Sequence, residues 1–170
     1  SRGVDINQKT TEILKSLNEK LKMERQAEQD KLAKEFEEKK KAEELQTQKD
    51  IETVVNGISQ HDVSGINFVS GIFENVNPKN LKPAMDKLRD LHTKNSVMTI
   101  IATVDNKVSV IVSVSSDLKE KINAVDLVKT ASIIMGGKGG GGRPDLAQAG
   151  GVDKTKANDA LIEIENKIKG

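Results

Sequence analysis

The spacing of apolar residues changes character near residue 56. Before that point it is sparse and helical: Leu14, Leu17 and Leu21 recur at intervals of three and four, then the stripe thins to Ala27, Leu32, Phe36, Leu45 and Ile51. Glu, Lys, Gln and Ala fill the gaps, with no Gly or Pro over residues 9–49, so the pattern predicts one long helix across residues 10–55. The stripe is too broken for a continuous two-stranded seam, which makes the helix coiled-coil-like rather than a regular coiled coil. A helical hairpin turning near residues 24–30 is the competing geometry. Charge pairs four apart, such as Glu35 with Lys39, each add about 0.2–0.5 kcal/mol to an exposed helix. Asn56-Gly57 predicts a left-handed cap at its end.

Beyond that cap the pattern alternates between strand and helix. Residues 66–73 read as a strand, and Asn77-Pro78 as a turn. Leu81, Ala84, Met85, Leu88 and Leu91 form a helical stripe with Asn80 as the expected cap, and Pro83 implies that regular hydrogen bonding starts late. Residues 97–104 and 107–114 are β-branched runs separated by Asp105-Asn106, which predicts a tight hairpin. Val108, Val110, Val112 and Val114 give one of its faces an unbroken apolar row. Residues 123–135 read as a helix burying Val125, Leu127, Val128, Ala131 and Ile134; Ala157, Ala160, Leu161, Ile164 and Ile168 mark a last amphipathic helix. The fold class is therefore α+β: a long N-terminal helical arm over residues 1–58, then a small sheet of three or more strands covered by helices over residues 59–170.

Composition sharpens this division. Residues 9–49 carry 11 basic and 10 acidic side chains, so the only core large enough to fold alone lies in the second part. A net charge of +1 gives no global field, and any polyanion must be met by a local cluster. The absence of cysteine excludes disulfides and thiolate zinc sites. No run of about 18 apolar residues is available to span a membrane. The start at Ser1-Arg2-Gly3, without Met, leads us to expect a piece of a longer chain.

Eight of the 13 glycines fall within residues 136–151, which read Gly-Gly-Lys-Gly-Gly-Gly-Gly-Arg-Pro-Asp-Leu-Ala-Gln-Ala-Gly-Gly. Successive glycine N–H groups can line an anion nest, so Gly136, Gly137, Lys138, Gly139, Gly140, Gly141, Gly142 and Arg143 are candidate phosphate contacts. A P-loop requires Ser or Thr after the Lys, but Gly139 follows Lys138. A dinucleotide fingerprint requires a preceding strand, whereas a helical pattern precedes this run. The competing structural reading is a loop crossing tightly over the sheet, with Asp145 bracing Arg143 or capping a turn. Gln148 suits either a contact to the same partner or loop stabilisation. His61 and His92 lack ligand-spaced neighbours and read as surface or helix-end residues. Ser113, Ser115 and Ser116 have no His or Asp partner for nucleophilic chemistry. Lys119 and Lys121 read as solvated helix-end charges.

The run, with Val63-Ser64-Gly65-Ile66, Asn77-Pro78-Lys79-Asn80-Leu81, the hairpin of residues 97–114 and Ser115-Ser116-Asp117-Leu118 in order before it, resembles the C-terminal region of bacterial-type alanyl-tRNA synthetases. The likeness covers residues 60–169. The arm matches the family's helical lead-in only in character. One departure is visible: the family usually places three glycines between the Lys and the Arg, and this chain has four. The resemblance implies a domain also appended to DHH-type phosphoesterases, whose glycine loop tends to end in His. Neither histidine here is near the loop, which disfavours that branch.

In the synthetases the resemblance implies a non-catalytic domain with no cofactor of its own, ATP and zinc being used elsewhere in the full-length enzyme. Its partners would be the outer corner of tRNA-Ala, the catalytic and editing domains of the same chain, and a second copy through the helical arm, in the cytoplasm and away from membranes. The expected tRNA-binding set is Gly136 to Gly142 with Lys138, plus Arg143 and Gln148. With only Phe36, Phe68 and Phe73 as aromatics, recognition would be by shape and phosphate contact rather than by base stacking on rings. Two other readings stand beside this one: the C-terminal domain of a free-standing alanyl-tRNA editing hydrolase, and a purely structural dimerisation module.

Overall fold

A computed structural model describes residues 2–170, with side chains from Ile6 onward. Helix α1 (Arg2–Gly57) is one uninterrupted helix, so the hairpin alternative with its turn near residues 24–30 is excluded. The chain divides inside α1 into two compact units, Ser1–Gln46 and Thr47–Gly170. In the first, Ile13, Leu14, Leu17, Leu21 and Phe36 are all exposed. The helix ends at Gly57 without the expected left-handed cap. A side chain there would come within 2.8 Å of the Phe73 ring, so close packing is what glycine serves.

The second unit is a six-stranded sheet with helices on both faces. Its elements are β1 (Ser59–Val63), β2 (Ile66–Glu74), α2 (Leu81–Leu91), β3 (Ser96–Val104), β4 (Lys107–Val114), α3 (Ala124–Ile134), β5 (Gly140–Arg143), β6 (Leu146–Gly151) and α4 (Ala157–Lys169). The strand order is β1-β2-β3-β4-β6-β5, with β2 and β3 parallel and every other pair antiparallel. Strand β1 escaped the sequence pattern because four of its five residues are exposed. Its signal was the turn dipeptide Ser64-Gly65, where φ is 54° and 86° and the chain reverses tightly into β2.

Alternation along the strands splits the core in two. Val97 and Ile101 of β3, Val110 and Val112 of β4 and Ala147 and Ala149 of β6 pack under α3 and α4 with Leu127, Val128 and Ile164. On the opposite face Met98, Ile100 and Ile111 pack with Leu81, Met85 and Leu88 of α2 and with Val54, near the end of α1. Residues 51–55 thus belong to the core of the second unit. A buried polar joint fixes them: the Asp50 carboxylate accepts from Asn80 Nδ2 at 2.7 Å and Asn77 N at 3.2 Å, while Thr47 Oγ1 donates to Asn80 Oδ1 at 3.0 Å. This corrects the expected role of Asn80. It occupies the cap position of α2 but makes no side-chain cap bond, because its amide is committed to Asp50; Asn77 caps the 3₁₀ turn before it instead.

Candidate functional site

The glycine run does not form a single loop. Its first part ends α3 and its second part is a strand. At the end of α3, Gly136 adopts φ 78° and donates to Ile133 O at 3.2 Å, while Gly137 donates to Ser132 O at 2.7 Å. This reciprocal pair is a Schellman cap, which needs a left-handed residue where Gly136 stands. The chain then passes so close to β6 that any side chain at Gly137 would strike the Gly150 carbonyl and the Ser132 hydroxyl. Gly139 donates to Ser132 Oγ at 3.1 Å, and that hydroxyl donates to Gly150 O at 2.6 Å. Ser132, fully buried, therefore ties helix, loop and strand together. Its signal in the sequence was one hydroxyl in an apolar helical stripe, one turn before Gly136.

These bonds take three N–H groups out of the expected anion nest. The N–H groups of Gly136, Gly137 and Gly139 already donate within the fold. The run also follows the C-terminal end of α3, where the helix dipole disfavours an anion. What remains for a polyanion is side-chain charge and the open side of the strand. Lys138 is exposed in the loop and forms no ion pair among the described residues.

Strand β5 sits at the sheet edge, paired only with β6: Gly140 faces Ala149, Gly141 faces Gln148, Gly142 faces Ala147 and Arg143 faces Leu146. Alternation sends Gly140 and Gly142 toward the α3 side with the buried alanines, and Gly141, Arg143 and Gln148 toward the other. The structure therefore brings Gly141, Arg143 and Gln148 together on one exposed face and leaves Gly136, Gly137, Lys138 and Gly139 in the loop at the end of α3. The turn between β5 and β6 is held by three hydrogen bonds to two main-chain carbonyls: Pro144 O takes Ala124 N at 2.8 Å, and Asp145 O takes Val114 N at 2.9 Å and Ser113 Oγ at 3.1 Å. The Asp145 carboxylate lies 3.7 Å from Arg143 Nε, as the bracing reading expected, and 3.4 Å from Arg89 of α2, which sequence reasoning did not find. Arg89 also lines a cleft of about 350 Å³ with His92, Ser115 and Ser116.

The remaining candidates are structural. His61 contacts Glu165 at 2.9 Å and the edge of the Phe68 ring, and His92 ends α2. Phe68 and Phe73 are buried in the core. Ser115 Oγ accepts from Ser96 N at 3.0 Å. A hydrogen bond from the Ser115 hydroxyl, joined by one from Asn95 N–H, holds the Asp117 carboxyl below its ordinary value. Among the described residues no group of three or more His, Asp or Glu is placed to hold a metal ion, and no helix is long and apolar enough to cross a membrane.

A model of the DHHA1 domain matches residues 63–170. The chain is 45% identical over 107 residues to the alanine–tRNA ligase of Mesorhizobium japonicum, a match covering 63% of this chain and 12% of that ligase. Its fold superposes on the crystal structure of the C-Ala domain from Aquifex aeolicus alanyl-tRNA synthetase with a TM-score of 0.62 and 31% identity, covering 66% of this chain and 99% of that domain. A DHH-domain member of the S1P family of ribosomal proteins shares the fold at a TM-score of 0.52 and 16% identity, over 74% of this chain and 31% of that one.

Proposed function

The chain belongs to the DHHA1 domain family, and from that membership we propose that it is the C-terminal, tRNA-binding part of an alanine–tRNA ligase. The observation that carries this reading is the match to nearly the whole C-Ala domain, together with 45% identity to a ligase of which this chain spans only an eighth. In this reading ATP-dependent attachment of alanine, with its ATP and zinc, belongs to other modules of the same cytoplasmic enzyme. The present residues bind the outer corner of tRNA-Ala and bridge the catalytic and editing domains.

The geometry favours a long polyanion over a small phosphate ligand. Lys138 lies in the loop beyond α3 and Arg143 at the far end of β5, a strand about 10 Å long that separates them, so they meet different phosphates. Such contacts position an RNA without reading its sequence. The exposed Ile13, Leu14, Leu17 and Leu21 of α1 make the arm the natural surface for association with a second copy.

Replacing Lys138 and Arg143 together with Ala tests the reading. The expected outcome is weaker binding of a tRNA-Ala transcript and a salt dependence flattened by about two units of log–log slope, one for each lost phosphate contact. Unchanged affinity and slope would sink the assignment. Sedimentation with and without residues 1–46 tests the arm, and a dimer lacking RNA affinity would favour the purely structural module.

A further inference from the structure

Among the described residues one charged side chain is buried, and it lies where α1 meets the sheet. Asp50 is 4% exposed; its carboxylate is held by Asn80 Nδ2 and Asn77 N, while Thr47 Oγ1, three residues earlier, donates to the Asn80 carbonyl oxygen. Asn80 is itself buried. The turn that receives the carboxylate is stiffened by Pro78 at its start and by Asn77 Oδ1, which accepts from Lys79 N at 3.0 Å. Taking a charge out of water is costly, and apolar side chains of similar shape often serve stability as well or better. Stability alone therefore does not account for a carboxylate at this position.

The apolar residues beside it leave the register of α1 open. Ile51, Val54 and Val55 pack into the α2-side core, at the spacing with which a helix presents the same stripe again one turn on. If α1 slid forward by four residues, Ile51 would arrive at the site of Val55 and Thr47 at the half-buried site of Ile51. The last turn, ending in Asn56-Gly57, would unwind to supply the slack before β1. Two of the three docking positions would accept the newcomer. The third would not: Asp50 would be driven into the fully buried site of Val54, inside the apolar cluster of Leu81, Met85 and Leu88.

We propose that Asp50, Asn77 and Asn80 form a register lock for α1. The carboxylate is satisfied at one axial position of the helix and penalised one turn away, which is the use of a buried polar group that specifies an arrangement rather than strengthens it. A slip of one turn would feed about 5.4 Å of helix past the sheet. Packed helices switch by such discrete one-turn steps, so the lock selects between two placements of the same helix. It concerns the root of α1 and stands independently of the RNA-binding reading.

The chain has no cysteine, so spin labels can be placed cleanly on the whole protein. Glu52→Cys on the helix is paired with Lys107→Cys or, separately, with Lys119→Cys, all at exposed positions, and the distances are read by pulsed electron resonance. The otherwise unchanged chain should give one narrow distribution for each pair. Gln46→Asp/Asp50→Val moves the carboxylate one turn upstream and leaves a valine to fill the Val54 site, so Asn80 regains its partner only if the helix slides forward. At least one of the two distances should then shift, by on the order of 5 Å. Asp50→Leu/Asn80→Leu removes the lock; it should keep or raise the melting temperature and show the original and shifted distances together. Unshifted distances in the Gln46→Asp/Asp50→Val chain, or its failure to fold, would overturn the lock, because the slipped placement would be unused or inaccessible. A single original distance in the leucine variant would mean that apolar packing sets the register, and a collapse of its melting temperature would mean that the joint acts through stability; either result overturns the proposal.

Discussion

The sheet contains two neighbouring hairpins that solve the same geometric problem with opposite materials. In β3–β4, eight of the nine β3 residues are buried, and valine and isoleucine fill both faces. In β5–β6 only Ala147 and Ala149 are buried, β5 has one non-glycine residue, and position is fixed by backbone approach, the cap at Gly136, the Ser132 hydroxyl and the Asp145 carbonyl. A hairpin held by side-chain burial has both faces occupied. One held by close backbone contact leaves a face bare, and that bare face carries the candidate site.

The largest expected effect breaks the first hairpin. Ile101 is fully buried between α3, α4 and the sheet, and Ile101→Ala should lower global stability by about 3–4 kcal/mol through lost burial and the cavity left behind. A denaturant midpoint shift with unchanged slope is the measurement. Gly140→Val attacks the second hairpin through steric conflict with Gln148 O and Ala149. It should cost about 1–3 kcal/mol, and most of the change should appear as lost amide-exchange protection over residues 140–151. Equal and global loss in both variants would mean that the two hairpins form one cooperative unit and that the contrast in materials has no energetic counterpart.

The same contrast explains what was legible beforehand. Side-chain burial writes itself into the sequence as periodicity, so the β3–β4 hairpin, α2, α3, α4 and the long α1 could be read from Val, Ile, Leu and Glu–Lys spacing. Backbone contact leaves no periodic trace. Residues 140–143 therefore looked like loop, although they form an edge strand, and β1 was invisible because its side chains face water. The joint at Asp50, Asn77 and Asn80 was missed for a related reason: 27 and 30 residues separate its members, and local rules assign Asn80 to a cap. Of the candidate site, residue identities came from the motif, but their division between a loop and one sheet face required the register.

Each hairpin also has an aspartate at an end, and the two should respond differently. At the open end of β3–β4 the Asp117 carboxylate accepts from Asn95 N at 3.0 Å and is bonded by Ser115, whose oxygen receives Ser96 N. Its pKa is depressed in the folded state. The stability it contributes is therefore present above the ordinary carboxylate value and lost as pH falls through the lower, folded value. Melting temperatures measured between about pH 6 and about pH 2 should show wild type ahead of Asp117→Asn at the upper end, with the gap closing on acidification. A gap independent of pH would mean that this carboxylate acts through packing rather than charge.

Asp145, at the turn of the glycine hairpin, should give the smallest stability change of all. Its carboxylate is 29% exposed and its partners Arg89 and Arg143 are 34% and 67% exposed, at 3.4 and 3.7 Å, so each pair contributes at most a few tenths of a kcal/mol after solvent screening. The main-chain carbonyl does the anchoring, through Val114 N and Ser113 Oγ, and Asp145→Asn leaves it in place. The variant should melt within about 1 kcal/mol of wild type. Under the proposed RNA-binding reading its effect falls elsewhere: removing one negative charge beside Arg143 should tighten binding of an RNA transcript and steepen its salt dependence. A loss of several kcal/mol would show that ion pairs hold this turn, and the glycine hairpin would then depend on side chains after all.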